Sequence, residues 1–350
     1  MSGRSPIDQH GRSLGVLRLS LTARCNLACP YCLPDGVEPA GLLDHDQRVR
    51  LIGAAVHRGV RSLRLTGGEP LLHAGLESLI AAVQPLRANG LQEIALTSNG
   101  ALLDTERARS LRAAGLDRLT LSIDAVAPAV VARMAGLRGG AEAGANLHHQ
   151  QLRAIEQARG AGFDPASGGL KLNAVIQRGR NDDQLVPLAA LARERKLELR
   201  LIEYMDVGNR NGWQPEAVLS AATMLQRIGE RWPLEPLGRP THGTASRWRY
   251  RDGGGLLAVV ASVSAPFCGD CNRLRVTADG IAYRCLFASP GTGVDLRPWL
   301  QSPSSAPALE AALDQLWQER TDRYSEQRQQ LRGLGSSAMG SHAEMAYLGG

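Results

Sequence analysis

The stretch that decides the fold is Val16-Leu17-Arg18-Leu19-Ser20-Leu21-Thr22-Ala23-Arg24-Cys25-Asn26-Leu27-Ala28-Cys29-Pro30-Tyr31-Cys32. Its first part, Val16 to Leu21, alternates apolar and polar residues as a strand does. That strand delivers, at its carboxyl end, three thiols separated by three and then two residues, with an aromatic just before the third. Three thiolates on one tight loop suit zinc or an iron-sulfur cluster. A four-iron cluster held by only three of them keeps one iron free to bind something else. Zinc would need a fourth ligand, usually Cys or His. The nearest downstream candidate, His45, sits beside Asp44 in what reads as a helix start.

The rest of the cysteine content repeats the pattern. All six cysteines fall into two groups, Cys25, Cys29, Cys32 and Cys268, Cys271, Cys285. Three-and-three grouping in a 350-residue chain without an apolar leader argues for reduced thiols serving as ligands rather than for disulfides. The start, Met1 to Gly15, is polar, and no later stretch is apolar enough to span a bilayer, so a cytoplasmic protein with no membrane partner is expected. The net charge of +6 comes from 40 basic and 34 acidic residues spread along the chain. Only 4% of residues are aromatic and no run of Lys and Arg stands out, so no nucleic-acid partner is expected. A small polyphosphate accounts for the basic balance as well.

Outward from the cysteine loop, strand and helix patterns alternate about six times. Asp44 can cap a helix to about His57, Arg61 to Leu65 reads as the second strand, and Thr66-Gly67-Gly68-Glu69-Pro70 is its exit. The two glycines let the backbone approach a ligand closely. A helix over Gly75 to Arg87, a strand over Glu93 to Leu96 and a helix over Asp104 to Ala114 follow. Arg118 to Ser122 is the fourth strand, Leu170 to Ile176 the fifth, carrying Lys171 and Asn173, and Leu197 to Glu203 the sixth, leading to Met205. This pattern predicts an α/β fold, a parallel sheet closed or partly closed into a barrel. A doubly wound nucleotide-binding sheet is the rival, but no Gly-x-Gly-x-x-Gly follows the first strand. In a barrel the cysteine loop, Gly67-Gly68, Thr97, Ser122 and Met205 would converge at one rim, and Arg18 would face a ligand. From about Gly208 the rhythm changes to Pro- and Gly-rich links, which places a domain boundary there: 1–207 and 208–350. The second cysteine group lies in the later part, with Cys285 returning from a hairpin turned at Asp279-Gly280. Gly136 to Ala145 and Ala166 to Gly169 read as small loop additions, and Ser302 to Gly340 as a surface helix plus a flexible tail.

The spacing of the first cysteine group, Tyr31 included, and Thr66-Gly67-Gly68-Glu69-Pro70 resemble the radical S-adenosylmethionine (SAM) enzymes. In that family the open iron chelates the amino and carboxylate groups of SAM, and an electron from the cluster releases a 5′-deoxyadenosyl radical. Both cysteine groups, Cys271-Asn272-Arg273-Leu274-Arg275 and the Gly349-Gly350 end together resemble the GTP 3′,8-cyclases, which open molybdenum cofactor biosynthesis. The similarity runs from about Leu17 to Leu300 and resumes at the last six residues.

That resemblance implies a partial (β/α) barrel of TIM type with about six units, a smaller carboxyl-terminal part, two [4Fe-4S] clusters and SAM. Cys25, Cys29 and Cys32 would hold the SAM cluster, and Tyr31, Gly68, Ser122 and Met205 would contact SAM. Cys268, Cys271 and Cys285 would hold a second cluster whose open iron binds the guanine of GTP. Arg18, Arg64, Thr97, Lys171, Arg200, Arg273, Leu274 and Arg275 match positions that contact GTP. Arg18, Arg273, Arg275, Gly349 and Gly350 match catalytic positions, and Met345 to Leu348 would anchor the tail that carries the two glycines. As partners the resemblance implies GTP as substrate, an electron donor and a downstream cyclic pyranopterin monophosphate synthase, with a homodimer left open. The rival readings are another radical SAM enzyme with an auxiliary cluster, such as a peptide-modifying one, and a zinc-bearing nucleic-acid-binding protein.

Overall fold

In the first strand the sequence alternation becomes two opposed faces: Leu17 and Leu19 are fully buried among helices, while Arg18 points the other way. The computed structural model describes residues 5–34, 36–333 and 342–350. Six strands, β1 (Val16–Ser20), β2 (Ser62–Thr66), β3 (Glu93–Ser98), β4 (Arg118–Ser122), β5 (Leu170–Ile176) and β6 (Glu198–Glu203), lie side by side in chain order, each pair parallel. The helices between them are α1 (His45–His57), α2 (Leu76–Ala82), α3 (Thr105–Ala114), α4 (Pro128–Ala135), α5 (Gly140–Gly160) and α6 (Leu185–Glu194). α1 starts where Asp44 accepts from Gln47 N at 2.7 Å and the Gln47 side chain accepts from Asp44 N at 2.9 Å. Such a reciprocal cap satisfies two otherwise orphaned donors.

After β6 come α7 (Ala221–Gly229), β7 (Leu234–Gly238), β8 (Ser246–Tyr250), β9 (Leu256–Val260), β10 (Arg273–Val276), β11 (Ile281–Tyr283) and β12 (Val294–Asp295). These strands extend the same sheet at both ends. β9 pairs parallel with β6, with β8 and β7 antiparallel beyond it, while β10 pairs parallel with β1, with β11 and β12 beyond. The result is one open sheet of twelve strands, ordered β12-β11-β10-β1-β2-β3-β4-β5-β6-β9-β8-β7. Residues from β1, β3, β6 and β10 line one cavity, so the sheet curls as a partial barrel.

Three local expectations are corrected. The helix expected over Gly75 to Arg87 stops at Ala82, and a 3₁₀ turn over Gln84–Asn89 follows, because Pro85 has no N–H to continue the α ladder. The Gly- and Ala-rich stretch is largely helix, since α5 begins at Gly140. A Cβ on its Gly144 would lie 1.9 Å from Pro128 O, so small residues there allow α5 to pack closely on α4. α8 (Ala306–Gln318) is no mere surface helix: Leu309, Leu313, Leu316 and Trp317 are buried, and it packs on α1. α9 (Tyr324–Gly333) and α10 (Met345–Leu348) complete the chain, and residues 334–341 of the expected flexible tail lie outside the described residues.

The cysteine loop is gripped by its neighbours. Gly68 N donates to Thr22 O and Glu69 N to Arg24 O, both at 2.8 Å, and Ala28 N donates to Ala135 O at 3.1 Å. A Cβ on Gly68 would lie 2.1 Å from Arg24 O, so this glycine admits the loop's own backbone. The buried Glu69 accepts from Leu71 N at 3.0 Å, and from Ser98 Oγ and Asn99 N at 2.8 Å each, which ties the exits of β2 and β3 together. Gly136 ends α4 at φ 67°, where a Cβ would lie 2.1 Å from Ala28 O. Gly136→Ala should therefore cost about 1–3 kcal/mol, read as a lower urea midpoint; an unchanged midpoint would show that the loop is not held from this side.

Candidate active site

The first thiol group sits where β1 ends. Cys32 N and Leu33 N both donate to Cys29 O at 2.9 Å, and Leu27 N lies 3.4 Å from Cys25 Sγ, a donor suited to a thiolate. Burial pushes the Cys29 thiol well up, helped by Asp124 and by Cys32 and Cys25; burial, then Cys25, pushes Cys32 up to about 12. Three converging thiols that resist ionising on their own need a cationic centre to become ligands, which fits an iron-sulfur cluster. Tyr31 OH donates to Asp124 Oδ2 at 2.7 Å, and Asp124 Oδ1 accepts from Val175 N at 2.8 Å. Burial raises the Asp124 carboxyl to about 6. Tyr31 and Ser122 line a small recess beside Cys29 with Val131, Met134 and Gln151.

Inside the curl lies a larger cavity of about 190 Å³, whose walls are arginines. Register puts Arg275 of β10, Arg18 of β1 and Arg64 of β2 side by side in one layer. Arg200 and Arg273 join them, with Thr97, Met205 and the second thiol group. Crowding marks their chemistry. Burial, then Arg275, Arg64 and Arg273, lowers Arg18 well below its usual value; burial and then Arg118 bring Arg64 down to about 9; burial brings Arg275 down to about 10. Arg18 Nε, Arg200 Nε and Asn173 Oδ1 are buried without a hydrogen-bond partner. Buried cations with spare donors call for an anion, and guanidinium forks match phosphate oxygens.

At the cavity floor two carboxylates restrain the charge. Glu198 meets Lys171 at 3.1 Å, Arg200 at 3.0 Å and Arg247 at 3.1 Å. Burial alone would raise its carboxyl, but the three cations hold it below its usual value. Lys171 is pushed down to about 8, burial outweighing the pull of Glu198. Glu93 pairs with Arg118 and lies 3.9 Å from Arg64.

The second thiol group opens onto the same cavity. Cys271 Sγ accepts from Arg273 Nη1 and Arg320 Nη2, each at 3.2 Å. Burial would raise this thiol, yet Arg273 and Arg320 outweigh it and bring it down to about 6, whereas burial and Asp322 push Cys285 up to about 12. One pre-ionised and one reluctant thiol beside a cationic wall again fit a cluster rather than a disulfide.

The chain end reaches this cavity from the other side. Leu348 is buried with Tyr283 and Ala343, and Met345 with Val207 and Phe287. Gly350 O accepts from Arg18 Nη2 at 2.5 Å and Gly349 O from Arg275 Nη1 at 3.4 Å. The loop after β6 clasps the segment before it, since Asn209 bonds His342 through Oδ1 and Nδ2 at 2.9 and 2.8 Å, and Glu344 meets Arg210 at 3.3 Å.

Of the residues singled out in the sequence, Arg18, Arg64, Thr97, Arg200, Met205, Arg273, Arg275, Gly350 and the three later cysteines share one cavity. Lys171 sits in the ion cluster with Glu198. Leu274 turns its side chain into the core on the opposite face of β10. Gly349 lies where a Cβ would be 2.5 Å from Thr66 Cγ2. Asn173, noted on the fifth strand with Lys171 but given no role, also lines the cavity. Sequence reasoning missed Thr120, Arg284, Arg320 and Glu198. Strand alternation could have found Thr120, two residues before Ser122; the others carry no local signal.

Comparison with known proteins agrees with this arrangement. Residues 19–192 match the Radical SAM superfamily and residues 197–326 match Molybdenum Cofactor Synthesis C. Relatives named GTP 3′,8-cyclase include one from Synechococcus sp. (strain WH7803), 61% identical over 99% of this chain and 98% of the relative. Another from Synechococcus sp. (strain CC9902) is 59% identical over 99% of both, and one from Xanthomonas axonopodis pv. citri (strain 306) is 44% identical over 98% of both. Among solved structures, Streptococcus suis SuiB bound to precursor peptide SuiA superimposes with a TM-score of 0.61 at 14% identity, over 97% of this chain and 77% of that one. The anSMEcpe enzyme with bound AdoMet gives 0.53 at 15%, over 84% and 79%. At such identities the likeness is one of fold.

Glu198→Gln should lower stability by about 3–5 kcal/mol, because it leaves the buried Lys171 and the mostly buried Arg200 without their carboxylate. The sign with pH follows from the depressed carboxyl: its contribution is present above the unfolded value of 4.5 and is lost as pH falls through the lower folded one. Urea unfolding of the wild type should weaken over that window more steeply than that of the variant, and parallel pH profiles would refute the assignment.

Proposed function

This chain belongs to the family of GTP 3′,8-cyclases, radical SAM lyases of molybdenum cofactor biosynthesis, and from that premise we propose how its residues convert GTP to 3′,8-cyclo-7,8-dihydro-GTP. The family implies a [4Fe-4S] cluster and SAM. We assign the cluster to Cys25, Cys29 and Cys32, and SAM contacts to Tyr31, Gly68, Ser122 and Met205. A second [4Fe-4S] cluster on Cys268, Cys271 and Cys285 would present its open iron to the guanine. When bound, the first cluster and SAM would supply the radical that takes hydrogen from ribose C3′; C3′ would then bond to guanine C8, and one electron from the external donor with one proton would complete the 7,8-dihydro product.

The observation that carries this reading is one cavity holding Arg18, Arg64, Arg200, Arg273 and Arg275 together with the second thiol group. A triphosphate needs several cations, and this wall has more than Glu93 and Glu198 neutralise. Arg273, 3.2 Å from Cys271 Sγ, and Arg275 would hold phosphate oxygens, and Thr97, which lines the same cavity, would donate to the substrate. Lys171, next to Glu198, would contribute long-range attraction, and Leu274 would act through its backbone. The cavity wall excludes water, and holding C3′ and C8 in fixed geometry lets the cofactor's chemistry proceed without competing quenching. Gly349 and Gly350, held by Arg275 and Arg18, would close the site over the ribose.

In this reading residues 1–207 form the radical SAM partial barrel with the first cluster, and 208–350 the carboxyl-terminal region with the second cluster and the Gly349-Gly350 tail. We also infer a cytoplasmic enzyme, fed by an external one-electron donor and followed by cyclic pyranopterin monophosphate synthase, with homodimer formation compatible with it. Among the described residues no helix is long and apolar enough to cross a membrane. The peptide-modifying reading rests on likeness of fold at 14–15% identity, against 59–61% identity to the cyclases over nearly the whole chain.

Anaerobic incubation of reconstituted protein with SAM, GTP and a reductant should give the cyclised product, and ATP should not replace GTP. Iron should reach about eight atoms per chain and halve when Cys25, Cys29 and Cys32 are replaced by Ala. Zinc with little iron, or equal use of ATP, would overturn the reading. Removing Gly349 and Gly350 should abolish most cyclised product while iron and GTP affinity stay nearly unchanged and 5′-deoxyadenosine still forms. Full-rate cyclisation by the truncated chain would show that the tail has no part in the reaction.

A further inference from the structure

Arg320 follows α8 in the region whose sequence reads as a surface helix and tail, yet it is 1% exposed. Its Nη1 donates to Cys271 O at 2.7 Å and its Nη2 to Cys271 Sγ at 3.2 Å, so one fork grips both ends of a single cysteine. The guanidinium stacks 4.7 Å from the Trp317 ring, and Trp317 Nε1 donates to Arg12 O at 2.8 Å. Arg12 in turn donates to Cys268 O at 2.8 Å. The nearest carboxylates balance this charge poorly. Asp8 lies 4.0 Å away and is already paired with Arg12 at 2.5 Å, while Asp322 lies 3.6 Å away. Arg320 Nε has no hydrogen-bond partner.

A buried cation that turns two of its donors on one cysteine stabilises negative charge on that sulfur. Hydrogen bonds and positive charge at a cluster's sulfurs favour the reduced, more anionic state. We propose that Arg320 is a positioning residue of the second thiol group, fixing Cys271 as a charged ligand and raising the reduction potential of the cluster that Cys268, Cys271 and Cys285 hold. This rests on the second-cluster reading given above.

The test uses the full chain with Cys25, Cys29 and Cys32 changed to Ala, which isolates the later site. After anaerobic reconstitution that protein should hold about four irons and show one reducible signal by electron paramagnetic resonance. If it holds none, the second-cluster reading fails and the proposal with it. Adding Arg320→Gln should shift the reduced-to-oxidised ratio at fixed poise at least tenfold toward oxidised, about 59 mV for one electron, or cost the site its iron. Arg320→Lys, which keeps the charge but loses the fork, should fall between. Four irons at an unchanged potential in Arg320→Gln would overturn the role of Arg320 while leaving the cluster reading intact. In the chain with all six cysteines, Arg320→Gln should retain the four irons of the first group; losing those too would mark a general folding role and overturn the proposal.

Discussion

The parallel pairing of β10 with β1 is the contact on which the cavity depends. It joins two segments some 250 residues apart in a sheet otherwise built in chain order, and its register sets Arg275 beside Arg18. Because parallel strands keep their side chains in step, that match also fixes which face each arginine takes. Shifted by one residue, Leu274 would enter the cavity and both of its neighbours would enter the core. The pairing also sets Cys271, two residues before β10, at the end where β1 begins, opposite the rim that carries the cysteine loop leaving β1.

Gathering so many guanidinium groups in one space is unfavourable until an anion arrives. The fold tolerates it by placing Glu198 and Glu93 at the floor, where each meets cations from neighbouring strands, and by letting the backbone oxygens of Gly349 and Gly350 accept from the arginines above. Burial, with repulsion from neighbouring arginines added to it, lowers Arg18 and Arg64. A site in this condition is pre-organised for a polyanion, since little rearrangement is needed before its donors are used.

Legibility in the sequence followed the range of the interaction responsible. β4 and β5 could be bounded to the residue because their alternation and flanking turns are local, and Asp44 was readable as a cap for the same reason. Both cysteine groups announced themselves by spacing. The joining of β9 and β10 to the barrel sheet had no local signature, since parallel pairing at long separation leaves none in either segment alone. Gly68 illustrates a subtler gap: its sequence shows that something comes close, but only the structure shows that this is Arg24 O. Likewise the Gly- and Ala-rich stretch has the composition of a loop, while its smallness serves the contact between α4 and α5. Arg320 was hidden because its value lies in distant partners, Cys271 and Asp8.

An open barrel leaves two free sheet edges, and here each is blunted in its own way. β12 is only two residues long, Val294–Asp295, too short to template a neighbour. β7 is exposed, carries Pro236, which cannot donate, and breaks register between Pro236 and Gly238. Short, proline-bearing and irregular edges resist the strand-to-strand addition that leads to aggregation. Neither edge therefore offers a second copy a long, regular strand to pair with.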